Sequence, residues 1–135
     1  MAPERLKNKA LEIISKTIVF YLATVEDKYP RVRPMTLLCH EGFTLYTCTP
    51  FASNKIRHVE ANPWVESCFV DESGQIVRIQ AKAVLLQDDQ AWTDLPINLE
   101  RLPQQEDPDF MLMRLDPYEA KLVNNWSLDY QLLPL

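Results

Sequence analysis

Gln75-Ile76-Val77-Arg78-Ile79-Gln80-Ala81-Lys82-Ala83-Val84-Leu85-Leu86 alternates along its length. Val77, Ile79, Ala81, Ala83 and Leu85 fall on one side of an extended chain, with Arg78, Gln80 and Lys82 on the other, the period-two pattern of a half-buried strand. The turn Asp71-Glu72-Ser73-Gly74 joins it to a preceding strand, Trp64 to Val70. Upstream, Ser53 is a good helix cap, Asn54 to Ala61 reads as a short helix, and Asn62-Pro63 stops it. Before that come a strand from Phe43 to Thr49, a turn at His40-Glu41-Gly42, a strand from Arg31 to about Cys39, and a β-branched, aromatic strand from Thr17 to Val25 ended by Glu26-Asp27-Lys28. The chain begins with an amphipathic helix over 4–15, where Pro3 suits the first turn and Leu6, Ala10, Ile13, Ile14 and Ile18 recur at three to four residues.

Downstream, 87–109 carries Pro96, Pro103 and Pro108 and reads as an irregular or briefly helical connection. Phe110 to Leu115 is a further strand, Asp116-Pro117 a turn, and Tyr118 to Val123 a seventh strand. Residues 124–135 form an apolar tail. The expectation is a mainly β protein with flanking helices, one domain over 1–135, whose six to seven antiparallel strands over about 17–123 close or nearly close into a barrel.

Composition narrows the chemistry. Only two glycines accompany ten prolines, so no G-x-G-x-x-G turn and no Walker-type loop can be written. A net charge of -5 argues against nucleic acid or anionic membrane as a partner. No apolar run approaches the ~18 residues of a membrane span and no signal-peptide core follows Met1 to Lys9, which reads as cytoplasmic. Cys39, Cys48 and Cys68 are an odd count without C-x-x-C spacing, which suits a reducing compartment and gives no zinc site. Cys39 and Cys48 flank one hairpin with an expected offset of roughly four rungs, about 13 Å, too far for a bridge. His40 in a turn and His58 on the short helix read as surface residues, and Met111 and Met113 as core.

The window from Arg31 to Lys55 is the most informative for function. Arg31, Arg33 and Met35 share one face of their strand. Thr49 ends the next strand, while Ser53 and Lys55 open a helix whose first N–H groups lack intrahelical acceptors. Two hydroxyls, a mobile ammonium, a helix start and the Arg33 guanidinium make an anion pocket. Solvated surface charge satisfies the same spacing.

The ordered set Leu22-Ala23-Thr24-Val25, Tyr29-Pro30-Arg31-Val32-Arg33-Pro34-Met35, Leu45-Tyr46-Thr47-Cys48-Thr49, Ser53-Asn54-Lys55-Ile56-Arg57, Asn62-Pro63-Trp64-Val65 and Lys82-Ala83 resembles the pyridoxamine 5'-phosphate oxidase-like family, the FMN-binding split barrels. The resemblance implies a split β-barrel, a homodimer and FMN at the subunit interface, with a small-molecule substrate and NAD(P)H as reductant. It places Arg33, Pro34, Met35 and Thr36 along the flavin and Cys48, Thr49, Ser53, Asn54 and Lys55 at its phosphate; Trp126 is a candidate ring to stack on flavin or substrate. It implies no protein nucleophile and no metal, since the flavin carries the redox chemistry. The chain lacks the closing arginine-rich segment of the true oxidases, and points to a reductase of the general-stress or nitroimidazole-reductase type. Asn54 stands where Arg is common in the family, and Lys28 and Ala81 where glycine is usual. These departures motivate the alternatives of a non-catalytic flavin carrier or a barrel holding haem or deazaflavin.

Overall fold

The computed structural model describes residues 2–97, 99–101, 110–123 and 129–135. Helix α1, Pro3–Ser15, starts on its proline and buries Ala10, Ile13 and Ile14. The chain leaves the helix at Lys16, so Ile18 falls off that stripe and is 57 % exposed.

The strands are β1 (Val19–Glu26), β2 (Tyr29–Thr36), β3 (Cys39–Glu41), β4 (Thr44–Pro50), β5 (Trp64–Val70), β6 (Ile76–Leu86), β7 (Phe110–Val123) and β8 (Gln131–Leu133). Helix α2, Asn54–Ala61, lies between β4 and β5; α3, Gln90–Asp94, and a 3-10 turn, Leu99–Arg101, follow β6. All pairings are antiparallel, in the order β2-β1-β5-β6-β7-β4-β3, with β8 added to the far half of β7. Six long strands therefore curl into a barrel that is not closed by a ladder, a split barrel. The open seam is held by single bonds: Thr47 Oγ1 donates to the Thr36 carbonyl at 2.6 Å, and the Leu38 N–H to the Tyr46 carbonyl at 2.9 Å.

The alternation of Val77, Ile79, Ala81 and Ala83 is observed as burial, and these residues join Phe20, Leu22, Met35, Leu45, Val65, Phe69, Met113 and Leu115 in one core. Phe20 and Phe69 stack inside it at 5.2 Å. A smaller cluster of Leu38, Cys48 and Leu112 lies under Trp92 and Leu95 of the connection after β6. Met111 and Met113 are buried.

Three local readings are corrected. The stretch from Arg31 to Cys39 is not one strand: Leu37 donates its N–H to Ile18 and Leu38 to Tyr46, so the chain switches partners there and buries both side chains. Cys39 pairs with Tyr46, which puts Cys48 only two residues off register, about 7 Å along the strand rather than 13 Å; both thiols are free. Asp116-Pro117 is not a turn. Phe110–Val123 is one strand, and its register against β6 slips between Gln80 and Ala81, leaving Tyr118 as the extra residue of a bulge. A proline next to a bulge costs no regular ladder bond.

The two family glycine positions are accommodated differently from each other. In the β1–β2 turn the left-handed residue is Asp27, at φ 55°, one before Lys28, and aspartate tolerates that region. Ala81 keeps negative φ and is buried in the core. The actual glycines, Gly42 and Gly74, both take positive φ in their turns.

Candidate functional site

The inward-facing row of β2 runs from apolar to charged toward one mouth of the barrel: Met35 is buried, Arg33 half-buried and Arg31 exposed. The inward row of β4 does the same with hydroxyls, from Leu45 to Thr47 to Thr49. Apolar filling stops at this mouth, and α2 starts four residues after Pro50. Ser53 is the cap of α2, its Oγ accepting from the Lys55 N–H at 3.2 Å.

Arg33 Nη1 donates to the Leu22 carbonyl at 3.2 Å, which holds the guanidinium against β1. Burial lowers the pKa of Arg33, with neighbouring Arg31 lowering it further. Burial likewise lowers the pKa of Lys55, and Arg33 adds to the effect. Neither cation has a carboxylate partner among the described residues, although acidic side chains outnumber basic ones in the chain. Thr49 Oγ1 is buried and has no hydrogen-bond partner among the described residues. Two half-buried cations and an unmet hydroxyl at one mouth constitute a locus that gains from an anion.

The structure distributes the remaining residues unevenly. The Met35 side chain is 5 % exposed in the main core and that of Cys48 7 % exposed in the smaller cluster. Their backbone groups are what remains for a ligand. Burial pushes the Cys48 thiol up to about 11. Pro34 faces outward opposite Tyr21, and β2 ends the sheet path, so one line of its backbone groups is unladdered. The helix start supplies fewer free donors than its sequence suggests. Ser53 N–H bonds to Pro50, Lys55 N–H to Ser53 Oγ and Ile56 N–H to the Ser53 carbonyl, leaving Asn54 alone among these amides without a partner. Arg57 reaches back to donate to Asn54 Oδ1, so a guanidinium stands at the helix start although position 54 carries none. Trp126 lies outside the described residues.

His58 is not a surface residue. Its side chain is 11 % exposed, with Nε2 3.3 Å from Glu26 Oε2 and Nδ1 3.4 Å from Thr24 Oγ1. No spacing rule reveals this contact, because Glu26 and Thr24 precede it by more than thirty residues and meet it only through the β1–α2 packing.

The pyridoxamine 5'-phosphate oxidase family model matches residues 6–124. The chain belongs to that family. General stress protein 26 of Bacillus subtilis (strain 168) is 29 % identical over 136 residues, covering 92 % of each chain. The crystal structure of General Stress Protein 26 from Bacillus anthracis superposes with a TM-score of 0.77 at 27 % identity, covering 97 % of this chain and 99 % of the other. Two more distant structures share the fold. One is a pyridoxamine 5'-phosphate oxidase-related, FMN binding protein of Nostoc punctiforme, with TM-score 0.68, 20 % identity, and 98 % and 90 % coverage. The other is a heme binding protein of Mycobacterium smegmatis, with TM-score 0.75, 16 % identity, and 93 % and 57 % coverage. The same fold is thus found in an FMN binding protein and in a heme binding protein. Among the described residues no helix is long and apolar enough to cross a membrane.

Proposed function

We propose that this family member binds FMN by its phosphate at Arg33, Thr49, Ser53 and Lys55, at the interface of a homodimer, and is an FMN-dependent reductase of a small molecule. One observation carries the reading: among the described residues the half-buried pair Arg33 and Lys55 has no carboxylate beside it, and Thr49 Oγ1 is buried without a partner. A phosphate monoester supplies what all three lack, a compact dianion with several acceptor oxygens. Ser53 still has its hydroxyl proton to donate, because its oxygen serves as the acceptor for Lys55 N–H. Arg57 compensates in charge for Asn54.

Bound FMN supplies reversible hydride acceptance at its ring. The chain's own part is to anchor the phosphate, to offer the free edge of β2 to the ring, and to exclude water with a second copy. Support for that copy comes from the outward faces of β1 and β2, where Val19, Tyr21 and Val32 are 52 %, 49 % and 71 % exposed, an apolar surface unusual for a solvated strand pair. NADH or NADPH is the proposed reductant.

Haem is the second reading, motivated by the mycobacterial neighbour. The side chains favour flavin. Both ring nitrogens of His58 are engaged, His40 bonds the Gly42 carbonyl in a turn, and burial pushes the Cys39 and Cys48 thiols up to about 11, away from the thiolate a haem iron would take. The test is the visible spectrum of purified protein followed by titration with FMN and with haemin. Flavin bands, or saturable quenching of FMN fluorescence, support the reading, and a Soret band with no FMN binding overturns it. Bleaching of bound FMN by NAD(P)H under anaerobic conditions, and its return with an acceptor, separates a reductase from a carrier.

A further inference from the structure

Helix α2 presents its first turn to the anion locus and its last turn to a separate polar contact. His58 follows Lys55 by three residues, so the two share one face of the helix. Glu26 Oε2 lies 3.3 Å from His58 Nε2 and accepts from Arg31 Nε at 3.1 Å. A carboxylate only accepts, so Nε2 carries a hydrogen, and Nδ1 meets the buried Thr24 hydroxyl. One carboxylate oxygen therefore joins three elements: β1, which carries Glu26 and Thr24; α2, which carries His58; and β2, which carries Arg31 two residues before Arg33.

This contact does more than fill space. Helix α2 has only eight residues and buries just Ile56 and Val59, a small apolar footprint for fixing its azimuth and slide on the barrel. The polar contact supplies the missing directional constraint. It also holds Arg31: the hydrogen bond from Arg31 is the main reason the Glu26 carboxyl sits below its ordinary value, with His58 and Arg57 adding to it. Arg31 in turn adds to the depression of Arg33. Arg31 and His58 are thus tied to a carboxylate that touches none of the proposed phosphate ligands.

We infer that His58 and Glu26 are positioning residues for the anion site, fixing the start of α2, with Ser53 and Lys55, at a set separation from Arg33 on β2. The inference rests on the proposed phosphate anchorage and assigns to it residues that would not touch the ligand. A ligand anchored through its phosphate should feel the loss of this contact, whereas the same ring system without a phosphate should not.

The experiment measures dissociation constants of FMN and of riboflavin for the wild-type chain, Glu26→Ala, His58→Ala and His58→Gln, with the melting temperature of each ligand-free protein as the control for folding. By analogy with the orienting partners of metal ligands, His58→Ala is expected to weaken FMN by about tenfold. Riboflavin should change by less than about twofold. His58→Gln, which keeps a donor toward Glu26, should recover most of the loss. Glu26→Ala, which removes the acceptor, should behave like His58→Ala, and the double variant Glu26→Ala/His58→Ala should be no worse than either alone, the non-additivity of one shared contact. Equal losses of FMN and riboflavin, or additive losses in the double variant, would reduce the contact to ordinary packing and overturn the inference. If the wild-type chain binds FMN and every variant matches it, this inference alone falls. If the wild-type chain binds no FMN, the functional reading falls and takes the inference with it.

Discussion

Replacing Thr49 by valine tests the site with opposite signs in two measurements. The exchange is nearly isosteric and removes only the hydroxyl, which is buried and unpartnered in the ligand-free chain. An unsatisfied buried polar group costs about 1 to 3 kcal/mol. Taking the lower end, Thr49→Val should stabilise the ligand-free protein by about 1 kcal/mol, or about 3 to 5 °C in Tm for a chain of this size. The same hydroxyl, donating to a phosphate oxygen, contributes a charge-assisted bond of about 1.5 to 3 kcal/mol. FMN should therefore bind roughly ten- to a hundredfold more weakly. Scanning calorimetry without flavin and fluorescence-quench titration with it give the two numbers. A variant that is less stable and binds FMN normally would show that Thr49 has a structural partner and that the phosphate lies elsewhere. A core threonine with no ligand role predicts no fall in affinity, so the pair of signs is the discriminating outcome.

Lys55→Met should also stabilise the ligand-free chain near neutral pH, because the folded-state pKa of Lys55 is lowered by burial and by Arg33. The sign follows from linkage: the unfolded chain binds the proton more tightly, so the penalty is present while the folded lysine is charged and is relieved as pH rises from its folded value toward 10.5. The stability difference between wild type and variant, followed by denaturant midpoints from pH 7 to 10.5, should shrink, and a constant difference would remove the charge argument. Lys55→Ala should weaken FMN by about 1.5 to 3 kcal/mol with little effect on riboflavin in the same titration. Val32→Asp, on the most exposed apolar position of β2, should convert dimer to monomer in sedimentation velocity, and a dimer that survives it uses another face. Because burial holds Cys39 and Cys48 near 11, both should alkylate slowly at pH 8, and rapid modification of either by iodoacetamide would contradict the packing.

Much of the barrel was legible because its signals are local. Period-two alternation marked Gln75 to Leu86, a serine cap followed by an asparagine-proline stop bounded α2, and scarce glycine excluded phosphate loops in favour of a helix start, hydroxyls and cations. Errors arose where a partner far along the chain decides the outcome. Leu37 and Leu38 look like strand interior, but their N–H groups go to Ile18 and Tyr46, which splits one strand into two. Asp116-Pro117 has turn composition, yet β6 on one side draws it into a bulged strand. Side-chain alternation ranked Met35 with Arg33 and set Cys48 beside Thr49, but only the tertiary packing determines that Met35 and Cys48 end in apolar clusters while Arg33 stays half-buried and Thr49 Oγ1 is left without a partner among the described residues.

The sequence by itself determined the chemical inventory of this protein: strands in antiparallel order, cations and hydroxyls between Arg31 and Lys55, and no glycine nest to hold phosphate. Tertiary structure decided which of those groups lack partners. Surface carboxylates could have paired with Arg33 and Lys55, and a neighbouring carbonyl with Thr49, had the chain packed otherwise. Burial without a counter-group is a property of three-dimensional proximity, since desolvation and Coulomb interaction depend on distance and on what fills the space between. The same reason hid His58, whose contacts with Glu26 and Thr24 exist only because α2 folds back on β1.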